Sequence, residues 1–306
     1  MSSFTKLAFW KTYLTPARFS NDQIPDLTGK VAIVTGANTG LGYATTVALA
    51  GHNCHVILAC RSRERAEAAI EKARKEIKAT YPRAAEAKLE FLELDLNDMT
   101  KAKKSAQDFL GRGLPIHILV NNSGIVGKHF VFTMTLLDRI KESQPSRIVI
   151  LSSLAHEHPT EGGIDFETLN DESASTNRSR YGRSKLANLL FGKALARRLA
   201  DTQVYCNIVH PGFVATDLAR DRTTWARAFQ VLFNVVRSVA AMTPKDGALT
   251  QLYAATSPEI VNKDIRGRYF IPIANELTPS PLAQDEALQE KLWAFSEAMV
   301  RQHVKA

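Results

Sequence analysis

From Lys30 onward, short apolar runs alternate with longer stretches whose apolar residues recur three and four positions apart. The runs KVAIVTG (30–36), CHVILAC (54–60), KLEFLEL (88–94), PIHILVNN (115–122), SRIVILSS (146–153), VYCNIVH (204–210) and GRYFIPI (267–273) predict seven strands. Between them, helical spacing predicts helices over 40–51, through Ala66, Ala69, Ile70, Ala73 and Ile77, from near Asp98, over 127–143 and over 180–200. Strands apolar on both faces that alternate with helices imply a parallel sheet covered on both sides. Right-handed crossovers then give an α/β, doubly wound arrangement of the Rossmann type. No internal repeat and no Pro-, Gly- or Ser-rich linker interrupts the pattern after residue 29. The expectation is a single domain over 29–306 behind an N-terminal arm over 1–28.

Composition narrows the class. At 306 residues, 45% hydrophobic and 23% charged, the chain can bury a full core, which excludes global disorder. Cys54, Cys60 and Cys206 lie in or beside apolar runs and make no disulfide framework, so they read as reduced, buried thiols. The net charge of +8 is spread over helices rather than gathered in a patch, which argues against nucleic acid and for solvated faces plus a phosphate site.

No stretch reaches the about 18 uninterrupted apolar residues of a membrane span. The first twenty residues carry Lys6, Lys11 and Arg18 without an acid. They read either as a weak targeting or interfacial segment or as an unanchored arm, and the expected location is cytoplasmic or peripheral on an intracellular membrane.

Thr35-Gly36-Ala37-Asn38-Thr39-Gly40-Leu41-Gly42 sits directly between the first strand and the first helix. Glycines there allow a tight turn and close backbone approach to a phosphate, while the helix N-terminus supplies N–H groups and positive potential. This placement, more than the glycine triplet itself, points to a dinucleotide. The end of the second strand reads Ala59-Cys60-Arg61-Ser62-Arg63, with no acid until Glu64. An NAD site wants a carboxylate there for the ribose hydroxyl, whereas a cation suits the extra phosphate of NADP. Arg61 therefore predicts NADP(H); the competing reading is a solvated cation at a helix start.

Tyr181 and Lys185 open the helix that follows the polar stretch 157–179. Positions i and i+4 share one helix face, so phenol and ammonium can enter one cleft. A free tyrosine has a pKa of about 10, too high for ready proton exchange at neutral pH, and a neighbouring cation favours the phenolate. Ser153 ends the fifth strand, at the sheet edge where ligands bind, and its hydroxyl can donate to a carbonyl.

TGxxxGxG at 35–42, NNSG at 121–124, the serine pair ending the fifth strand, YxxxK at 181–185 and HPGFVAT at 210–216 together resemble the short-chain dehydrogenase/reductase family. SRIVILSSLAHE and YGRSKLANLLFGKAL are most similar to its retinol-dehydrogenase-like branch. The resemblance runs from about Asp26 to the C-terminus. It implies that Gly36, Asn38, Thr39, Gly40, Leu41 and Gly42 form the pyrophosphate turn and that Asp95 and Leu96 contact adenine. It also implies that Asn122 to Gly124 steady the sheet beside the cofactor. Ser153 then orients the carbonyl, Tyr181 is the acid/base, and Lys185 holds the ribose and lowers the tyrosine pKa. Pro211, Gly212 and Thr216 lie beside the nicotinamide. The activity implied is interconversion of a small lipophilic alcohol and its aldehyde or ketone, and the family leaves room for a homodimer.

The chain departs from that pattern at one place. The family carries a fourth active-site residue, an asparagine in the helix between the fourth and fifth strands, which helps place a water linking the lysine to solvent. Here Gly124 falls where it would align, and no asparagine occurs between Asn122 and Asn170. About twenty residues that would precede residue 126 are also missing. A crossover needs only about a dozen residues, so the fold survives. Two readings stand: an oxidoreductase with reduced turnover, or a catalytically impaired NADP-binding protein.

Residues 222–242 predict an amphipathic helix with Trp225, Phe229, Leu232, Phe233, Val236 and Val239, placed where the family carries its substrate lid. It reads as a lipophilic substrate wall or membrane-surface contact, in competition with ordinary core packing. Thr243-Pro244 reads as an N-cap and first helical residue. His156 and His158 read as loop histidines and His210 as structural, with no metal-ligand register among them.

Overall fold

A computed structural model describes residues 14–82, 84–123, 126–159, 163–167, 176–214 and 242–304. Seven strands run parallel: β1 (Val31–Thr35), β2 (His55–Cys60), β3 (Leu89–Glu93), β4 (Ile118–Asn121), β5 (Ser146–Leu151), β6 (Val204–Val209) and β7 (Tyr269–Ile271). An eighth, β8 (Asn275–Glu276), closes the edge antiparallel to β7, giving the order β3-β2-β1-β4-β5-β6-β7-β8. The chain winds outward from β1 to β3 and then returns to build the other half from β4. Between β1 and β4 the winding reverses, which opens a crevice at the carboxyl ends of the strands.

The helices are α1 (Gly40–Gly51), α2 (Arg63–Thr80), α3 (Met99–Leu110), α4 (Val126–Glu142), α5 (Asn177–Arg198), α6 (Pro244–Thr256), α7 (Pro258–Asn262), α8 (Pro281–Gln284) and α9 (Glu286–His303). The period-two alternation of the strands divides the core between two faces. Ile33, Ile57, Leu119, Ile148 and Ile208 pack with Phe109, Phe132, Leu136, Leu190 and Trp293 of α3, α4, α5 and α9. Ala32, Val34, Leu58, Val120 and Val149 pack with Leu49, Ile70 and Leu252 of α1, α2 and α6. The fold is thus a single α/β domain with a doubly wound sheet.

Each helix expected between the first and sixth strands forms, and side-chain caps set several starts. Asp98 accepts from the N–H groups of Thr100 and Lys101, Thr243 from Asp246, and Asp285 from Leu288. Thr176 accepts from the Ser179 N–H, so α5 starts at 177 rather than 180. Before β1, Phe19, Ile24 and Leu27 are buried in the core, and the Arg18 N–H donates to the Ile273 carbonyl at 3.1 Å. The three cysteines are free and buried, and burial pushes the Cys54 thiol up to about 12 and Cys60 to about 11. No helix among the described residues is long and apolar enough to cross a membrane. Thr216 and residues 222–241 lie outside the described residues, as does Gly124.

Candidate active site

The glycine turn opens from β1 into the crevice. Gly36 has φ +64° and donates its N–H to Ala59 at 2.8 Å. A Cβ on Gly42 would lie 2.3 Å from the Gly36 carbonyl oxygen, so only glycine lets the start of α1 pass this close to the turn. Thr39 stands at the N-cap without capping through its side chain, which leaves the first N–H groups of α1 for an external acceptor. This cradle and helix end fit a pyrophosphate.

Asn122 locks the floor of the turn. Its backbone N–H donates to Thr35 Oγ1 at 3.0 Å, its Nδ2 to the Thr35 carbonyl at 3.0 Å, and the Ser123 N–H to the same Oγ1 at 3.1 Å. The Thr35 hydroxyl, accepting twice, has its own proton left to donate, and His129 Nε2 lies 3.3 Å away. That assigns the proton of the neutral imidazole to Nδ1, which is buried without a partner. Burial and the Lys185 charge push His129 down to about 3, so it stays neutral.

The sequence reading did not single out His129; its only trace there was a histidine ahead of Phe130 on the inward face of α4. Replacing it with leucine leaves a buried hydroxyl proton unaccepted, at a cost of about 2 kcal/mol. A lower urea midpoint for His129→Leu, partly regained by His129→Gln, is the expected result; equal midpoints for wild type and His129→Leu would refute it.

Arg61 follows β2 directly, exposed, with the start of α2 behind it. Ser62 Oγ caps α2 by accepting the Arg65 N–H at 3.3 Å, leaving its hydroxyl proton for another partner. Arg63 turns away, over the Phe91 ring at 4.6 Å and toward Glu67 at 3.3 Å. Asp95, after β3, is held below the usual carboxylate range mainly by the Asn97 N–H, with Lys101 and Arg61 adding to it. Leu96 beside it is buried.

Across the crevice, Ser153 leaves β5 and caps a short 3-10 turn, Leu154–Glu157, accepting the Ala155 N–H at 3.2 Å. Its neighbour Ser152 is buried and donates to the Lys185 carbonyl at 2.7 Å, and Asn188 Nδ2 donates to the Leu151 carbonyl at 2.7 Å. These two bonds pin α5 against the end of β5. Gly182 brings the same helix against the turn: a Cβ there would meet the His158 carbonyl oxygen at 2.2 Å and that of Ala155 at 2.7 Å.

On the helix so placed, Tyr181 is 43% exposed to the cleft, whereas Lys185 is buried with its Nζ 5.5 Å from the Tyr181 ring centroid. Burial alone pulls the Lys185 ammonium down to about 8. The phenol differs from the expectation that Lys185 lowers it. The protein mass around Tyr181 raises it, and the Ser153 hydroxyl provides the opposing pull.

Pro211 and Gly212 follow β6, and Gly212 takes φ +83°. Phe213, half exposed, accepts the Met242 N–H at 2.8 Å. His156, expected as a loop histidine, is instead fully buried, and His210 is buried with neither ring nitrogen partnered. No cluster of three or more metal-ligand side chains occurs among the described residues. Gly182 joins His129 as a residue with no signal in the sequence, since only the packing of α5 on the turn reveals it.

The short-chain dehydrogenase family model matches residues 30–141 and 169–227, spanning both halves of the site. The chain belongs to the short-chain dehydrogenase family. Among its relatives, retinol dehydrogenase 14 of Mus musculus is 37% identical over 89% of this chain and 86% of its own length. Retinol dehydrogenase 13 of Homo sapiens is 34% identical, covering 89% and 85%. The first of these alignments runs over 294 positions yet takes in only 89% of this chain, about 272 residues, so roughly twenty positions have no counterpart here.

A solved structure of an uncharacterized protein from Mycobacterium Paratuberculosis superposes with a TM-score of 0.69 at 26% identity, covering 94% of this chain and 99% of that one. An actinorhodin polyketide ketoreductase solved with NADPH shares the fold, with a TM-score of 0.62 at 18% identity, covering 83% and 97%. The chain is thus an oxidoreductase-family protein of the retinol-dehydrogenase-like branch, and this family binds a nicotinamide cofactor.

Proposed function

We propose that this short-chain dehydrogenase uses NADP(H) to interconvert a lipophilic alcohol and its aldehyde or ketone, with Ser153, Tyr181 and Lys185 as its catalytic residues. The carrying observation is that Tyr181 is exposed beside the buried Lys185 and near Ser153, whose hydroxyl favours the phenolate, on a helix packed against the turn that follows β5. A bound nicotinamide supplies or accepts the hydride. In the reducing direction the Ser153 hydroxyl donates to the carbonyl oxygen, and the Tyr181 phenol passes its proton to that oxygen as the alcohol forms. Lys185, buried 5.5 Å from the Tyr181 ring centroid, would hold the cofactor ribose. Asn122 and Thr35 hold the floor of the cofactor site, with Pro211 and Gly212 beside it; the expected contacts of Gly124 and Thr216 fall outside the described residues.

A lipophilic substrate is supported by two observations. The relatives are named retinol dehydrogenases, and Phe213, in the segment that follows β6, is half exposed. Without the fourth-position asparagine, proton return to Tyr181 is slower, so turnover is modest while cofactor binding persists. Loss of NADPH absorbance with a panel of hydrophobic aldehydes tests the reading. Tight NADPH binding with no consumption across the panel would establish the non-catalytic alternative.

Arg61→Ala weakens NADPH binding about 10- to 100-fold, the scale of one charge-assisted phosphate contact, and leaves NADH binding unchanged. Titration of both cofactors checks this. An equal loss for both would remove Arg61 from the specificity site.

A further inference from the structure

Behind Ser153 lies a histidine whose hydrogen bonds fix its chemical form. His156 is fully buried in the 3-10 turn. Its Nδ1 is 2.7 Å from the Ser153 carbonyl oxygen, and the Ser280 backbone N–H meets its Nε2 at 3.3 Å. A carbonyl can only accept and a backbone amide can only donate, so Nδ1 carries the proton and Nε2 is bare. The ring stands edge-on to Tyr269, with centroids 5.3 Å apart. It is neutral at working pH, since burial pulls its pKa down to about 4.

The two partners lie 127 positions apart in sequence, one at the end of β5 and the other just ahead of α8. The Ser153 hydroxyl meanwhile accepts the Ala155 N–H and favours the phenolate of Tyr181, whose helix packs against the same turn. Backbone and side chain of this one serine are therefore set from opposite sides.

We propose that His156 is a positioning residue: by tying the Ser153 carbonyl to the Ser280 amide, it fixes where the Ser153 hydroxyl meets Tyr181. This rests on the roles of Ser153 and Tyr181 argued above. It adds a coupling between the catalytic serine and the segment just ahead of α8. A purely apolar packing role would be filled as well by leucine; the bond to Ser153 requires a donor, which asparagine supplies at nearly the same place as Nδ1.

The test reads Tyr181 directly. In the full chain labelled with 13Cζ-tyrosine, the Tyr181 resonance, assigned with Tyr181→Phe, is titrated in wild type, Ser153→Ala, His156→Leu and His156→Asn. Lys185 and Tyr269 also face the phenol, and His158, His210 and Tyr269 face His156, but none of them is altered. Removing or displacing the Ser153 hydroxyl takes away a pull that favours the phenolate. Ser153→Ala and His156→Leu should therefore raise the midpoint alike, by about half a unit to one unit. His156→Asn should stay near wild type. NADPH turnover on a hydrophobic aldehyde should fall about tenfold in His156→Leu through kcat rather than KM.

A midpoint unchanged by His156→Leu but raised by Ser153→Ala overturns the proposal, as does one that Ser153→Ala leaves in place. If wild type consumes no NADPH, the functional reading fails, while the titration still decides whether His156 places Ser153. Should His156→Leu not fold, 15N spectra of wild-type histidines decide instead: a protonated Nε2 on His156 at neutral pH refutes the assignment.

Discussion

Replacing Tyr181 with phenylalanine is expected to lower NADPH-linked turnover by about 10³-fold, within the range a positioned acid/base contributes, while NADPH affinity stays within about twofold of wild type. Phenylalanine keeps the ring and removes only the oxygen. The ring is 43% exposed, so little packing is at stake and the unfolding midpoint should not move. The bonds that seat the cofactor floor, from Asn122 and Ser123 to Thr35, lie on β1 and the end of β4 and do not involve α5. The variant therefore separates chemistry from binding. Steady-state turnover alongside fluorescence titration with NADPH checks both halves. Retained turnover would move the proton transfer to another group and sink the catalytic assignment.

What the chain's pattern revealed, and what it hid, follows from the range of the forces involved. Buried parallel strands such as Val31–Thr35 and Val204–Val209 read as continuous apolar runs because both of their faces are covered. The glycine turn was legible because its conformation is a property of its own residues: Gly36 and Gly40 both take positive φ. β8 was not, since two residues opposite β7 carry no period to read.

The supporting residues were hidden for a different reason. His129 is defined by Thr35, 94 positions away, and His156 by Ser280, 124 positions away, so their function exists only once the sheet has formed. The tyrosine–lysine pair was legible as a spacing, but its electrostatics were not. An i, i+4 pair suggests a cation beside a phenol, whereas the ammonium lies 5.5 Å from the ring centroid and it is the Ser153 hydroxyl that pulls the phenol down.

Gly182→Ala tests the packing on which all of this depends, and two effects of opposite sign compete there. Alanine is the better helix former by about 1 kcal/mol, so propensity alone predicts a more stable α5. Against this, the new Cβ would stand 2.2 Å from the His158 carbonyl oxygen and 2.7 Å from that of Ala155. Both are backbone atoms of the segment that Ser153 caps, and neither can rotate aside. Overpacking of this kind costs about 1–3 kcal/mol, relieved only by moving the turn or the helix.

The clash wins, so the variant should melt a few degrees lower, at roughly 2–4 °C per kcal/mol. The larger effect falls on the chemistry. Displacing the turn from α5 by even about 1 Å separates Ser153 from Tyr181, and misplacement on that scale costs about 100-fold in rate. Cofactor affinity should change little, because the glycine turn is built on β1 and α1. Calorimetry, turnover and NADPH titration on this one variant therefore give three separate readouts. A Gly182→Ala protein as stable and as active as wild type would mean that α5 and the turn are not held at this distance, and the placement of Tyr181 over the crevice would fall with it.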